Sequence, residues 1–211
     1  AGEVEIYVSD QRRRALLMTA ALFHDLGKPA TRQEREPGWA TFYRHDTKGA
    51  DMARLSCRDL GLSKADAEYV ACMVAGHMRP FHLLGAQRRG QLTDRAVRRL
   101  LEAAAGDLIG LFLVALADTL AGKGPLRPED AEERLVELLG EVCRMRDERL
   151  AQALAAPPLL KGSRLMSELG LEPGPEIGRL LKAVREAQLD GKVDSPEAAL
   201  RLARQLHQQR P

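Results

Sequence analysis

The sequence predicts an all-α protein in which a larger helical bundle is followed by a smaller C-terminal helical region. Apolar residues recur at helical spacing through most of the 211 residues. Helix signals punctuate these stretches: Ser63 and Thr93 are typical N-caps, and Gly61 and Gly191 follow apolar runs. We expect one domain over residues 1–124 and a second over 125–211, because the segment 122–128 is rich in Gly and Pro.

The helices of the first domain are expected between these capping signals, over residues 11–26, 46–60, 63–77, 93–105 and 108–121. A short strand is expected at Val4, Ile6 and Val8. The dipeptide Pro37-Gly38 marks a turn, and the aromatic residues after it favour a small hairpin or packing on the core. The helix over 108–121 is apolar nearly all round, which predicts a central position.

The second domain is expected to begin with a long charged helix over residues 128–155, which Pro157-Pro158 ends. A short helix should follow from Ser163 to Gly170. Two further helices are expected over 175–189 and 196–208, the last with Ser195 as N-cap and Pro196 in its first turn.

Composition excludes several function classes. The formal net charge is only +2, so overall charge does not indicate a nucleic-acid-binding protein. Three widely spaced cysteines form no C-x-x-C pair, which indicates a reducing, cytoplasmic setting and argues against a disulfide framework or a thiolate zinc site. The longest apolar runs are shorter than the roughly 20 residues that cross a bilayer, so no membrane partner is expected.

The segment AALFHDLGKPATR, residues 20–32, is the most informative motif. It places His24 next to Asp25 at the end of an apolar run, where Gly27 and Pro29 stop the helix. A carboxylate far along the chain, Asp118, lies in the apolar run LFLVALADTLAG, where a charge is costly unless it is neutralised. One shared divalent ion would explain both features, because imidazole and carboxylate are ligands for such ions. His45 and His77, at expected helix ends, are further candidate ligands.

These residues resemble the HD superfamily of metal-dependent phosphohydrolases, whose hallmark is a histidine, a His-Asp pair and a distant aspartate on a helical bundle. Here His24-Asp25 match the pair and Asp118 matches the last aspartate. The resemblance implies an HD-type bundle over 1–124. The first histidine of the family lies upstream of the pair, and no histidine precedes His24. Either that ligand lies on residues before Ala1, or the site is incomplete.

A closer resemblance links the chain to bacterial tRNA nucleotidyltransferases and poly(A) polymerases. It rests on ALFHDLGKPATR, FYRHDTKGADMARLSCRDLGLS and VAGHMRP, and on the tail from PPLLKGSRLMSELGLEPGPEIGRLLKAVREAQLDGKV to SPEAALRLARQL. The Gly-Ser or Gly-Gly turn and paired aspartates with which that family adds nucleotides are not found in these residues. The chain therefore resembles the C-terminal half of such a protein, and we expect a nucleotidyltransferase domain upstream.

The resemblance implies hydrolysis of phosphomonoesters or 2′,3′-cyclic phosphates at a tRNA or RNA 3′ end, with a nucleotide phosphoester as substrate. A divalent ion (Mn, Ni, Co, Fe or Mg) is expected on His24, Asp25 and Asp118, with His45 and His77 as further ligands. The catalytic residues would be His24, Asp25 and Lys28, and Lys28 and Arg79 are expected to bind phosphate.

The tail is expected to bind RNA through phosphate contacts, which position a substrate without reading its sequence. Its candidate residues are Lys161, Arg164, Arg179 and Lys182. The alternative is that the tail only packs on the long helix. Two other readings of the whole chain stay open: a helical RNA-binding module with an inactive metal site, and a free-standing HD nucleotide phosphohydrolase.

Overall fold

A computed structural model describes residues 7, 9–36, 38–122 and 128–209. Within these residues the fold is helical apart from one two-stranded hairpin, which confirms the predicted all-α class. It divides into two compact units, Ala1–Asp147 and Glu148–Pro211. The strand expected at Val4, Ile6 and Val8 lies outside the described residues.

The first unit contains eight helices among its described residues. They are α1 (Gln11–Phe23), α2 (Lys28–Thr31), α3 (His45–Asp59), α4 (Lys64–Gly76), α5 (Arg79–Arg88), α6 (Asp94–Ala103), α7 (Leu108–Ala121) and α8 (Ala131–Met145). Between α2 and α3, strands β1 (Gln33–Glu36) and β2 (Trp39–Thr41) pair antiparallel, with Gln33 opposite Thr41. This is the hairpin alternative of the sequence prediction.

Capping residues fix the starts of several helices, among them the predicted caps Ser63 and Thr93. The side chain of Ser63 accepts a hydrogen bond from the backbone N–H of Asp66 at α4, and that of Thr93 accepts one from Ala96 at α6. At the start of α7, the carboxylate of Asp107 accepts from the N–H of Gly110. Each bond satisfies a backbone donor that has no partner inside its helix.

The core of the first unit forms where α4 packs against α1 and α3, and where α8 packs against α5 and α7. Its fully buried side chains include Val70, Met73, Val74, Leu100, Leu111, Val114, Leu135 and Leu138. The predicted domain boundary at 124/125 falls in 123–127, outside the described residues. The boundary between the two units lies further along the chain, between Asp147 and Glu148, because the apolar face of α8 belongs to the core of the first unit.

The second unit has its own apolar core. A π-helical turn (Arg146–Leu150) precedes α9 (Ala151–Ala155), and α10 (Gly162–Leu169), α11 (Pro175–Leu189) and α12 (Pro196–Gln208) follow. Leu165, Leu180 and Val184 are buried with Ala199 and Ala203. Gly170 ends α10 in the left-handed conformation, which glycine adopts at little cost.

Among the described residues, no single helix has the length and apolar character needed to cross a membrane. Helices α6 and α7 pass that test only as a pair, with an 88° bend at the break between them.

Candidate metal centre

Five predicted residues meet where four helices of the first unit begin or end. His24 and Asp25 occupy the turn after α1, His45 is the first residue of α3, His77 directly follows α4, and Asp118 lies in the last turns of α7. Their ligand atoms form two overlapping groups, each within 4.8 Å: His24, Asp25 and Asp118, and Asp25, His45 and His77. Residues up to 94 positions apart in the chain are thus gathered at one point.

The turn after α1 depends on a close approach between backbones. The N–H groups of Leu26 and Lys28 donate to the carbonyls of Phe23 and Asp25, so the chain turns at once. A Cβ atom on Gly27 would lie 2.1 Å from the carbonyl oxygen of His45. Glycine is therefore required where this turn meets the start of α3, and the contact brings Asp25 beside His45.

The carboxylate of Asp25 joins the two groups. Its Oδ2 lies 3.1 Å from Nε2 of His24, and its Oδ1 lies 3.5 Å from Nε2 of His45. On one side, His24 Nε2 is 3.3 Å from Oδ1 of Asp118; on the other, the Nε2 atoms of His45 and His77 are 3.3 Å apart. One carboxylate thus serves both groups, a geometry that suits one or two cations.

All three histidine rings are oriented in the same way. Each Nδ1 donates to the backbone carbonyl three residues earlier: His24 to Ala21 at 2.7 Å, His45 to Phe42 at 2.9 Å and His77 to Val74 at 2.6 Å. With the proton on Nδ1, the lone pair of each Nε2 faces the cluster. The Nε2 atoms of His45 and His77 face each other at 3.3 Å, and a cation or a proton between them would suit this arrangement.

Electrostatics also favour a cation. The Nε2 atom of His24 is buried and has no hydrogen-bond partner among the described residues, although two carboxylates lie nearby. The Asp118 carboxylate raises the pKa of His24, against the opposing effect of burial, and His24 in turn lowers the pKa of Asp118. Burial lowers the pKa of His77, which keeps that ring neutral and able to bind a metal. The nitrogen and oxygen donors present therefore fit a divalent ion.

The cluster is open on its carboxylate side. His77 is fully buried, whereas the side chains of Asp25 and Asp118 are 33% and 30% exposed. Asp118 was expected in a buried helix, but α7 buries only part of its circumference, and Asp118 faces the cluster from the partly exposed part. A ligand can therefore reach both carboxylates from solvent.

The two predicted phosphate-binding residues of the first unit differ in position. The Nζ atom of Lys28 lies 2.5 Å from Oδ2 of Asp25, so Lys28 touches the cluster. Arg79 is the exposed first residue of α5, two positions after His77. Helix α5 itself was not predicted: a proline can end a helix or stand in the first turn of one, and Pro80 lies in the first turn of α5.

The predicted RNA-binding residues all lie in the second unit. Arg164 pairs with Glu197 at 3.5 Å, and Arg179 pairs with Glu176 at 2.7 Å. Lys161 and Lys182 are exposed.

A cleft of about 430 Å³ adjoins the cluster at Asp118. Helices α5, α7 and α8 form its walls, and two arginines line it. Apart from Asp118, its lining residues were not among the predicted site residues, because spacing along the chain gives no sign that α5 and α8 face each other. The residues that line the cleft include Phe81, Leu84, Gly85, Arg88, Ala131 and Arg134.

Known proteins are similar to most of this chain. The family described as HD domain matches residues 2–123. An A-adding tRNA nucleotidyltransferase of Deinococcus radiodurans is 36% identical over 185 residues, which cover 87% of this chain and 40% of that protein. A CC-adding tRNA nucleotidyltransferase of Thermus thermophilus is 39% identical over 181 residues, 85% of this chain and 37% of that protein.

A third relative is a bifunctional uridylyltransferase/uridylyl-removing enzyme of Corynebacterium glutamicum. It is 30% identical over 159 residues, which cover 75% of this chain and 20% of that protein. The chain spans about two fifths of the length of the two tRNA nucleotidyltransferases that it matches.

Proposed function

This chain belongs to the HD domain family, and from that premise we propose that it is the metal-dependent phosphohydrolase part of a tRNA nucleotidyltransferase-like protein. Its substrate would be a phosphoester at an RNA 3′ end, either a phosphomonoester or a 2′,3′-cyclic phosphate. The observation that carries the proposal is the convergence of three histidine Nε2 atoms and the Asp118 carboxylate around the carboxylate of Asp25.

In this proposal His24, Asp25 and Asp118 would hold a divalent ion, and His45 and His77 would be further ligands beside Asp25. Mixed nitrogen and oxygen donors suit Mn, Ni, Co or Fe, and the carboxylates also suit Mg. When bound, such an ion supplies Lewis acidity toward phosphate oxygens and makes water more acidic.

The chain's own residues orient the reaction. The three Nδ1–H donors to backbone carbonyls hold the imidazoles rigid, so little reorganisation is needed when a ligand arrives. Lys28 holds Oδ2 of Asp25, and with its side chain 40% exposed it also offers a positive charge to a phosphate oxygen. The partial exposure of both carboxylates gives substrate and water access to the cluster.

The names of the relatives support the substrate class. Two are tRNA nucleotidyltransferases, and a third is named for the removal of uridylyl groups as well as their addition. Because the chain spans only part of these proteins, we do not assign nucleotide addition to it. The second unit would contact the RNA away from its 3′ end, through exposed lysines.

The test is metal analysis combined with hydrolysis of adenosine 2′,3′-cyclic phosphate. We expect the purified protein to retain a transition metal, and Asp25→Ala to lose both the metal and the activity, because Asp25 contacts both ligand groups. The matched control is Asp46→Ala, which changes the second His-Asp dipeptide, His45-Asp46, at a carboxylate outside both groups.

Each alternative gives a distinct result. A protein that binds metal and RNA but hydrolyses nothing is the inactive binding module. Equal loss of activity in Asp25→Ala and Asp46→Ala contradicts the assignment of the site. Activity on free nucleotides with no affinity for tRNA favours a free-standing nucleotide phosphohydrolase.

A further inference from the structure

The cleft beside Asp118 has the dimensions of a small-ligand site. Its volume of about 430 Å³ falls within the range of pockets that bind such molecules. Asp118 belongs both to the cleft and to the metal-ligand group, so the cleft offers space beside the metal centre for the rest of a substrate whose phosphate lies there.

We propose, on the basis of the proposed function, that this cleft binds the terminal nucleoside of an RNA 3′ end together with the phosphodiester that precedes it. Phosphate chemistry would occur at the Asp118 end. The cleft would then make the enzyme prefer oligonucleotide ends to small phosphoesters.

One wall suits a nucleobase. Phe81 and Leu84 from α5 face the cleft together with Ala131 from α8. Every base has a π-face, so an aromatic and aliphatic wall holds any base without reading its identity. The expected consequence is affinity for nucleosides with little preference among the four bases.

Two arginines suit the preceding phosphodiester. Arg88 and Arg134 line the cleft from different helices. The Nε and Nη2 atoms of Arg134 contact Asp130 at 2.8 and 2.7 Å, four residues earlier on a solvent-exposed stretch. Such exposed pairs are weak, so a phosphate can share or replace Asp130. Planar guanidinium groups match phosphate oxygens in geometry and charge.

Arg134 lies outside the part of the chain that matches the HD domain family. The family match ends at residue 123, and α8 begins after it. The wall that carries Arg134 is therefore contributed by sequence beyond the HD match, while the metal-ligand residues lie within it.

The first test compares two probes: an adenylyl-adenosine dinucleotide that ends in a 2′,3′-cyclic phosphate, and p-nitrophenyl phosphate. In the 211-residue chain, Arg134→Met should lower kcat/KM for the dinucleotide by about tenfold, the size expected for one lost charge-assisted contact. It should leave p-nitrophenyl phosphate hydrolysis unchanged. The matched control, Arg144→Met, removes an exposed arginine of the same helix that does not line the cleft.

A second variant fills the cleft. Gly85 lines it, and a Cβ atom there would meet only the end of the Arg89 side chain, at 3.6 Å. Gly85→Leu should therefore fold and exclude the nucleoside, while p-nitrophenyl phosphate hydrolysis continues. Gly140→Leu is the control, because a Cβ atom at Gly140 has nothing within 4 Å and the residue lies outside the cleft. Circular dichroism confirms the folding of each variant.

Binding is measured separately from activity. Fluorescence anisotropy with a labelled adenylyl-adenosine 3′-phosphate in EDTA should show weaker affinity for both cleft variants than for their controls. Unchanged affinity, or equal loss of activity on both probes, overturns the inference. If the wild-type chain hydrolyses neither probe, the proposed function fails, and the anisotropy result still decides whether the cleft binds the nucleotide.

Discussion

The two compact units differ in what they bury. Among the described residues, all three buried polar or charged side chains, His77, Arg98 and Thr119, belong to the first unit. The second unit encloses an apolar core around Leu165 and Leu180, and its charged side chains form pairs at the surface, such as Arg204 with Glu168 at 2.9 Å.

This contrast shows where a ligand is needed. A buried polar atom without a partner is costly, so the lone Nε2 of His24, beside the close approach of the His45 and His77 rings, favours a ligand in the first unit. Among its described residues, the second unit has one such atom, Nη1 of Arg185, and it pairs several of its charges at the surface, such as Arg179 with Glu176. Both units should depend on apolar packing for their stability, and the first should depend in addition on the backbone approach at Gly27 and on a bound metal.

Truncation of the second core should have the largest effect. Leu180 is fully buried, so Leu180→Ala should lower the free energy of unfolding of its unit by about 3 to 4 kcal/mol. Urea denaturation followed by circular dichroism measures this loss. The control is Leu154→Ala, at a side chain that is 36% exposed and should cost about 1 kcal/mol or less. Equal costs would contradict the central place of Leu180.

A methyl group at the turn after α1 should have the next largest effect. In Gly27→Ala the new Cβ atom meets the backbone of His45 and Gly49, so we expect a loss of roughly 3 kcal/mol, the upper end for overpacking. Metal content should fall with it, because Asp25 and His45 are held together by this approach.

The control for this substitution is Gly140→Ala. A Cβ atom there meets nothing within 4 Å, and replacing a helical glycine by alanine should raise stability by about 0.5 to 1 kcal/mol. A Gly27→Ala variant as stable as wild type, with its metal retained, would show that the turn can relax away from α3.

The sequence predicts the bounds of a helix well where local signals decide them. Helices α7, α11 and α12 have the expected bounds, because caps, prolines and glycines act within one turn of each end. The family resemblance is confirmed by the HD domain match. Helix α1 ends at Phe23 and not at residue 26, because the approach of Gly27 to α3 is a tertiary contact that periodicity does not report.

The site itself is less accessible to sequence reasoning. The chain contains two His-Asp dipeptides, and both residues of His24-Asp25 enter the cluster whereas only His45 of His45-Asp46 does. Spacing does not distinguish them, because the difference arises from helix packing. The sharing of Asp25 and the cleft wall formed by α8 also require coordinates. Charge pairing in the second unit likewise changes which cations are available to RNA.

The smallest expected effect concerns RNA binding by the exposed lysines and the paired arginines of the second unit. Lys161→Ala combined with Lys182→Ala should weaken tRNA binding and lower the slope of log affinity against log salt by about one for each lysine that contacts phosphate. Arg179→Ala should change both less, because its guanidinium already contacts Glu176 and the carbonyl of Leu206. Gel shifts across salt concentrations measure the slopes. If Arg179→Ala has the larger effect on the slope, the ion pair between Arg179 and Glu176 opens when RNA binds. If no variant changes the slope, the second unit serves only as a packed helical cap, and the cations of the first unit hold the RNA.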